Sequence, residues 1–155
     1  MEHKTYINRA IELACNSAVS GGGPFGCVIV KDNKVIGEAS NSVTKDNDPT
    51  AHAEVNAIRQ ACKALNTFDL SGSVLYTSCE PCPMCLAACY WAHISEIYYA
   101  GDQHDAALAN FDDNYIYEEF KKPMEERDIK VVRIEPQNGK LPFLAWRDND
   151  NKLPY

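Results

Sequence analysis

Two short runs in this chain hold residues whose types and spacing suit metal chemistry: His52-Ala53-Glu54 and Pro81-Cys82-Pro83-Met84-Cys85. Cys82 and Cys85 are three apart, so in the first turn of a helix both sulfurs lie on one face. A helix N-terminus presents unpaired N–H groups and the positive end of the backbone dipole. Both favour thiolate over thiol, and thiolate is the form that binds metal. A third ligand from His52 makes a set of one nitrogen and two sulfurs. That set suits zinc and leaves a fourth tetrahedral position open, as catalytic zinc requires and structural zinc does not. Glu54, two residues from a ligand, can stand beside a water at that position without binding the metal. It can take a proton from the water and return it to a substrate. Positions two apart do not share a face inside a regular helix. The pairing of His52 with Glu54 therefore needs the less regular backbone of a first turn.

Each feature has a plainer reading when taken alone. A histidine near a helix start is commonly structural, and a Cys-x-x-Cys pair serves redox chemistry as well as zinc. A glutamate at a helix N-terminus is favoured by the dipole. His-x-Glu opening one helix and Pro-Cys-x-x-Cys opening the next are far more specific together, and this pair is the signature of zinc nucleobase deaminases. The sharpest rival is an iron–sulfur electron carrier. Cys79, Cys82, Cys85 and Cys89 spell Cys-x2-Cys-x2-Cys-x3-Cys, the spacing of bacterial ferredoxin ligands. Against it, Tyr90 stands where that pattern has proline, no second cysteine run exists, and a helix from Pro83 would hold Cys85 and Cys89 in regular structure. Cys79 and Cys89 are expected to pack. So are the scattered Cys15, Cys27 and Cys62, as small buried hydrophobes. An odd total of seven cysteines argues against a disulfide framework.

The elements that must position these residues follow from periodicity. Ile7, Ala10, Ile11, Ala14 and Ala18 predict an amphipathic helix over 4–19, ended by Gly21-Gly22-Gly23-Pro24. Phe25 to Val30 and Val35 to Ala39, with Asp32-Asn33 between them, predict a β-hairpin. Ser42 to Pro49 reads as a loop, and Thr50 as the cap of a helix reaching about Ala64. Val74 to Thr77 is a strand. Pro83 suits a first helical position, opening a helix through His93. Ile97 to Ala100 is another strand, followed by a polar, acidic segment from Asp102 to Asp113. Tyr115 to Lys122 reads as helix, Ile129 to Ile134 as a fifth strand, and Pro142 to Arg147 as a short helix. Helices alternating with single strands imply a sheet covered on both faces. The expected fold class is α/β: one domain over 1–155, a three-layer α/β/α sandwich with a mixed five-stranded sheet.

The gross numbers agree with one globular domain of 155 residues, 45 % hydrophobic and 24 % charged. Fifteen Lys and Arg against 22 Asp and Glu leave a net charge of −7. That balance disfavours a nucleic-acid partner, because phosphate backbones select for basic surfaces. No apolar run approaches the ~20 residues of a spanning helix and no leader pattern opens the chain, so a cytoplasmic location without a membrane partner is expected.

The chain resembles the cytidine-deaminase-like superfamily through His52-Ala53-Glu54 and Thr77-Ser78-Cys79-Glu80-Pro81-Cys82-Pro83-Met84-Cys85. Gly23-Pro24-Phe25-Gly26, Asn41, Asp48-Pro49-Thr50, Tyr90-Trp91-Ala92, Phe111-Asp112-Asp113 and the tail with Pro142-Phe143, Ala145-Trp146 and Tyr155 resemble its bacterial guanine deaminases. The resemblance implies hydrolysis of guanine to xanthine and ammonia. It makes His52, Cys82 and Cys85 ligands of Zn2+, Glu54 the proton shuttle, and Asp113 a second carboxylate near the substrate amino group. Asn41 would hydrogen-bond the purine and Phe25 would pack on its ring. The resemblance also implies a homodimer, in which residues about 141–155 cross to the partner and Trp91 and Tyr155 help close a neighbouring site. From the residues alone, Asn41 could end a strand, Phe25 could be core, and Asp112 and Asp113 could cap a helix or form a solvated face. His93 and His104 are expected to be structural or exposed. Competing activities are a tRNA adenosine deaminase, a cytosine, cytidine or guanosine deaminase, and a non-catalytic zinc-stabilised binding module. The acidic segment from Asp102 to Glu119 would repel RNA, and a binding module gives Glu54 nothing to do.

Overall fold

The computed structural model describes residues 3–134 and 138–155, in two units that meet at Asn114/Tyr115. In the first, the apolar stripe of the opening segment forms α1 (His3–Val19). It lies on one face of a sheet through Tyr6, Ile7, Ala10 and Leu13, against Val28, Val30 and Tyr76. The hairpin is β1 (Gly26–Lys31) with β2 (Lys34–Ser40), paired antiparallel. Asp32 and Asn33 join them with φ of 49° and 60°, the left-handed geometry that matches the twist of a tight hairpin. β3 (Val74–Cys79) pairs antiparallel with β1, and β4 (Glu96–Gly101) pairs parallel with β3. The sheet order is β2-β1-β3-β4.

Side chains alternate across a strand, so Cys27 and Ile29 face away from α1. They pack with Ala39 and Leu75 against Ala53, Ala57 and Ala61 of α3 (Ala53–Leu65) and Cys89 of α4 (Pro83–Trp91). The three layers of the α/β/α reading are present. The small residues of α3 let it approach β2 closely: a Cβ on Gly37 would lie 2.5 Å from the carbonyl oxygen of Ala57.

Three local expectations are corrected. The sheet has four strands among the described residues, not five. Residues 129–134 join no ladder, and Ile129, Val131, Val132 and Ile134 are exposed. An alternating apolar pattern makes a strand only where a neighbour satisfies its N–H and C=O groups. Thr50 does not cap α3. Its N–H and hydroxyl both donate to Asp48 Oδ1, at 2.8 and 2.7 Å, and the helix starts three residues later with His52 at the cap position. Short helices also lie in stretches read as irregular: α2 (Val43–Asp46) and α5 (Gln103–Leu108), the latter closed by a reciprocal capping box between Asp102 and Asp105.

The second unit holds α6 (Asn114–Lys121), a 3-10 turn at Met124–Glu126 and α7 (Leu141–Asp148). Buried Glu119 organises its first half, accepting from the Asp128 N–H at 2.7 Å and pairing with Lys122. In the tail, Trp146 and Tyr155 meet edge to face at 6.4 Å. Among the described residues no helix is long and apolar enough to cross a membrane.

Candidate metal centre

The N-termini of α3 and α4 each bring one ligand candidate at the cap position and one reactive group in the first turn. His52 caps α3 with extended backbone (φ −70°, ψ 156°), and Cys82 caps α4 likewise (φ −66°, ψ 167°). Cys85 sits at the third helical position, after Pro83 has opened the helix. The cap geometry resolves the spacing problem of His52 and Glu54. His52 lies outside the helical repeat, so its ring and the Glu54 carboxylate converge although they are two residues apart.

The nitrogen and sulfurs of His52, Cys82 and Cys85 lie within 4.8 Å of one another. His52 Nδ1 is 3.6 Å from Cys82 Sγ and 3.5 Å from Cys85 Sγ. Around a tetrahedral zinc, with nitrogen at ~2.0 Å and sulfur at ~2.3 Å, the two ligand types stand about 3.5 Å apart. The donor set and its spacing therefore fit zinc. The cluster also favours thiolate: the Cys82 thiol is pushed down to about 4, first by a hydrogen bond from Cys85 and then, after an opposing effect of burial, by His52. The same pairing pushes Cys85 up, so a single negative charge is shared between the sulfurs. The bond to Cys82 raises His52.

Glu54 is buried, with 5 % of its surface exposed. Burial raises its carboxyl above the ordinary range, which suits a group that must both accept and give a proton. Its Oε2 lies 3.3 Å from Cys85 Sγ, and its Oε1 accepts from the Thr77 hydroxyl at 2.9 Å. Thr77, fully buried on β3, is a partner of Glu54 that the ligand motif alone does not single out. The signal was there: two residues after Leu75 it faces the same core layer, where a hydroxyl needs a partner.

Asp112 and Asp113 have different surroundings. Asp112 Oδ1 accepts from the Asn114 N–H at 3.0 Å, closing a turn at the start of α6. Asp113 Oδ1 is buried with no hydrogen-bond partner. Burial raises the Asp113 carboxyl, and the next contribution is the charge of Cys82, so it stands within electrostatic reach of the cluster. Phe25, half-buried at the edge of the α3 core layer, meets Phe111 edge to face at 5.0 Å. Asn41 follows β2. Its N–H donates to the Phe25 carbonyl at 3.1 Å, and its Oδ1 accepts from the Val43 N–H at 3.2 Å, leaving Nδ2 for another acceptor.

Trp91 is the last residue of α4, at the end opposite Cys82 and Cys85, and is 67 % exposed. Tyr155 belongs to the second unit and is 74 % exposed. The four-cysteine arrangement is not assembled. Cys89 packs in the core with Ala92, and Cys79 Sγ points to the Asp102 carbonyl at 3.6 Å. Cys27 is buried as expected, but Cys15 is exposed. His93 has φ of 57° and pairs with Asp69, and His104 is exposed.

The family described as the cytidine and deoxycytidylate deaminase zinc-binding region matches residues 1–101. Guanine deaminase of Bacillus subtilis (strain 168) is 53 % identical over 156 aligned positions, covering all of both chains. A crystal structure of the guanine deaminase from Bacillus subtilis superposes with a TM-score of 0.97 at 53 % identity, over 100 % of this chain and 99 % of that one. The tRNA-specific adenosine deaminase of Aquifex aeolicus (strain VF5) is 39 % identical over 100 residues, 64 % of this chain and 66 % of that protein.

Proposed function

This chain belongs to the cytidine and deoxycytidylate deaminase family, and we propose that it hydrolyses guanine to xanthine and ammonia with zinc as its cofactor. The observation that carries this reading is the reach of the likeness to guanine deaminase. It spans the whole chain, Asp113 and the tail included, at 53 % identity, whereas the tRNA-specific adenosine deaminase of Aquifex aeolicus aligns with 64 % of the chain at 39 %.

His52, Cys82 and Cys85 would hold the zinc, which when bound makes water acidic enough to attack near neutral pH. Phe25 covers the ring, and the Asn41 amide hydrogen-bonds its edge. Glu54 takes one proton from the attacking water and delivers it to the ring nitrogen beside the carbon that bears the amino group. A carbon–oxygen bond forms there. Glu54 then passes the second proton to the departing nitrogen, the carbon–nitrogen bond breaks, and ammonia leaves. Thr77 holds Glu54 Oε1, which leaves Oε2 on the side of Cys85 and the metal ligands, where the water would be activated. Asp113 Oδ1, desolvated and without a partner, is suited to accept from the exocyclic amino group and aim it. We place this reaction in the cytoplasm, in a homodimer whose residues 141–155, with Tyr155, complete the neighbouring site beside Trp91.

Ammonia release measured on guanine, guanosine, adenine, cytosine, cytidine and a tRNA adenosine stem-loop tests the reading. Guanine should be the preferred substrate. Asp113→Asn should cut its turnover on the order of 10²-fold, as loss of a positioned polar group does, with zinc content unchanged. Ammonia from cytidine or the RNA and none from guanine would overturn the substrate assignment.

A further inference from the structure

We propose that Asn56 is a positioning residue that clamps the strand end carrying Asn41 to the loop carrying His52, and so sets the distance between the purine-recognition amide and the metal ligand. Asn56 stands on the second turn of α3, half-buried. Its Nδ2 lies 3.1 Å from the carbonyl oxygen of Ser40, 2.9 Å from Ser42 Oγ and 3.3 Å from the carbonyl oxygen of Ala51. Ser40 and Ser42 flank Asn41, and Ala51 precedes His52. The Asn56 backbone N–H donates to the His52 carbonyl at 2.9 Å. One residue thus holds both carbonyls around the His52 amide and both residues around Asn41.

The tie between the 40–42 segment and the loop before His52 is made by polar bonds and runs mainly through Asn56. Asn41, Ser42 and Asn56 are among the residues lining an open cavity of about 680 Å³ between the end of α1, the end of β2, α2 and α3. The 40–42 segment therefore has space on one side, and polar bonds must fix it. The Asn41 N–H to the Phe25 carbonyl at 3.1 Å, the Ser40 hydroxyl to the Leu13 carbonyl at 3.1 Å and the Ser17 hydroxyl to the Asn41 carbonyl at 3.4 Å tie the segment to β1 and α1, and the Val43 N–H to Asn41 Oδ1 is local. Besides Asn56, the Ser42 N–H to the Ala51 carbonyl at 2.9 Å ties it to the loop before His52. Ala51 O is shared between Ser42 and Asn56, so loss of the Asn56 donors leaves the 40–42 segment tied to that carbonyl by the Ser42 N–H alone. The His52 end keeps its backbone bond in any Asn56 variant. The purine side should therefore suffer and the metal side should not.

The effect on substrate rests on the guanine reading; the clamp itself does not. Asn56→Asp keeps the shape and removes both donors, and Asn56→Ala removes the side chain. Both should raise KM for guanine on the order of tenfold, the worth of one or two lost hydrogen bonds, with kcat within about threefold and one zinc per chain. In an Asn41→Ala background, Asn56→Ala should change KM less than about twofold, because residues acting through one another are non-additive. Independently, amide hydrogen exchange at Ser42 and Val43 should quicken at least about tenfold in either variant, while Leu86 of α4 keeps its rate. Unchanged exchange at Ser42 and Val43, additive effects with Asn41→Ala, or zinc loss with unchanged KM would each overturn the proposal. A wild-type chain inactive on guanine would overturn the function reading and leave the exchange measurement to decide the clamp.

Discussion

At the scale of single residues, the site is a problem of placing charge where water is scarce. Glu54 is buried, yet one oxygen is held by Thr77 and the other lies beside Cys85. Glu54→Gln keeps the shape and the Thr77 bond but cannot shuttle a proton. Turnover should fall on the order of 10²–10⁴-fold, the usual worth of a positioned acid–base group, with zinc and purine binding retained; steady-state kinetics beside metal analysis checks this. Near-normal turnover would mean that another group moves the proton. Thr77→Val separates orientation from proton transfer. It conserves volume and removes a single donor, so turnover should fall about tenfold while zinc content holds at one per chain. Equal losses in the two variants would mean that Thr77 does more than aim the carboxylate.

At the scale of elements, the position of α3 decides where His52 and Glu54 stand, and Gly37 decides how close α3 comes to the sheet. A Cβ there would meet the Ala57 carbonyl at 2.5 Å, a backbone atom that cannot swing aside. Gly37→Ala should therefore destabilise the fold by about 1–3 kcal/mol through overpacking, and should lower turnover as the N-terminus of α3 shifts. Denaturant unfolding and turnover measured together test both, and a variant as stable and active as the parent would refute the close-packing argument. The main elements were legible in the sequence because their apolar periods run over many residues, as in α1 with Ala10 and Ala14. The ligand trio was legible because residue type and cap position act locally. What was not legible depended on competition or on distant neighbours. Asp48 outbids α3 for Thr50 by making a tight turn. α2 and α5 are too short to show a period. The clamp of Asn56 joins positions up to 16 apart that no spacing rule connects.

At the scale of the whole molecule, the chain exposes more apolar surface than a lone acidic protein needs. Phe143 and Tyr155 in the tail are 75 % and 74 % exposed, and Ile129, Val132 and Ile134 lie open in an alternating stretch. Surface of that kind suits the interface of the proposed homodimer. A net charge of −7 per chain opposes self-association, so the driving force for the proposed homodimer must be apolar, and added salt should strengthen it by screening the repulsion. Sedimentation should give twice the 17.3 kDa of one chain, with no shift to monomer at high salt. A fully active monomer would overturn the assembly. Sharing of sites is a stronger claim than association and needs its own test. Tyr155→Ala has an intact Glu54 and a defective tail; Glu54→Gln has an intact tail and a dead site. Each alone should be nearly inactive. If tails serve the neighbour, an equal mixture unfolded and refolded together forms mixed dimers in which one site has both Glu54 and Tyr155. Random pairing then restores roughly a quarter of the sites. If each tail serves its own chain, every site in the mixture lacks one group or the other, and activity stays at the sum of the two variants.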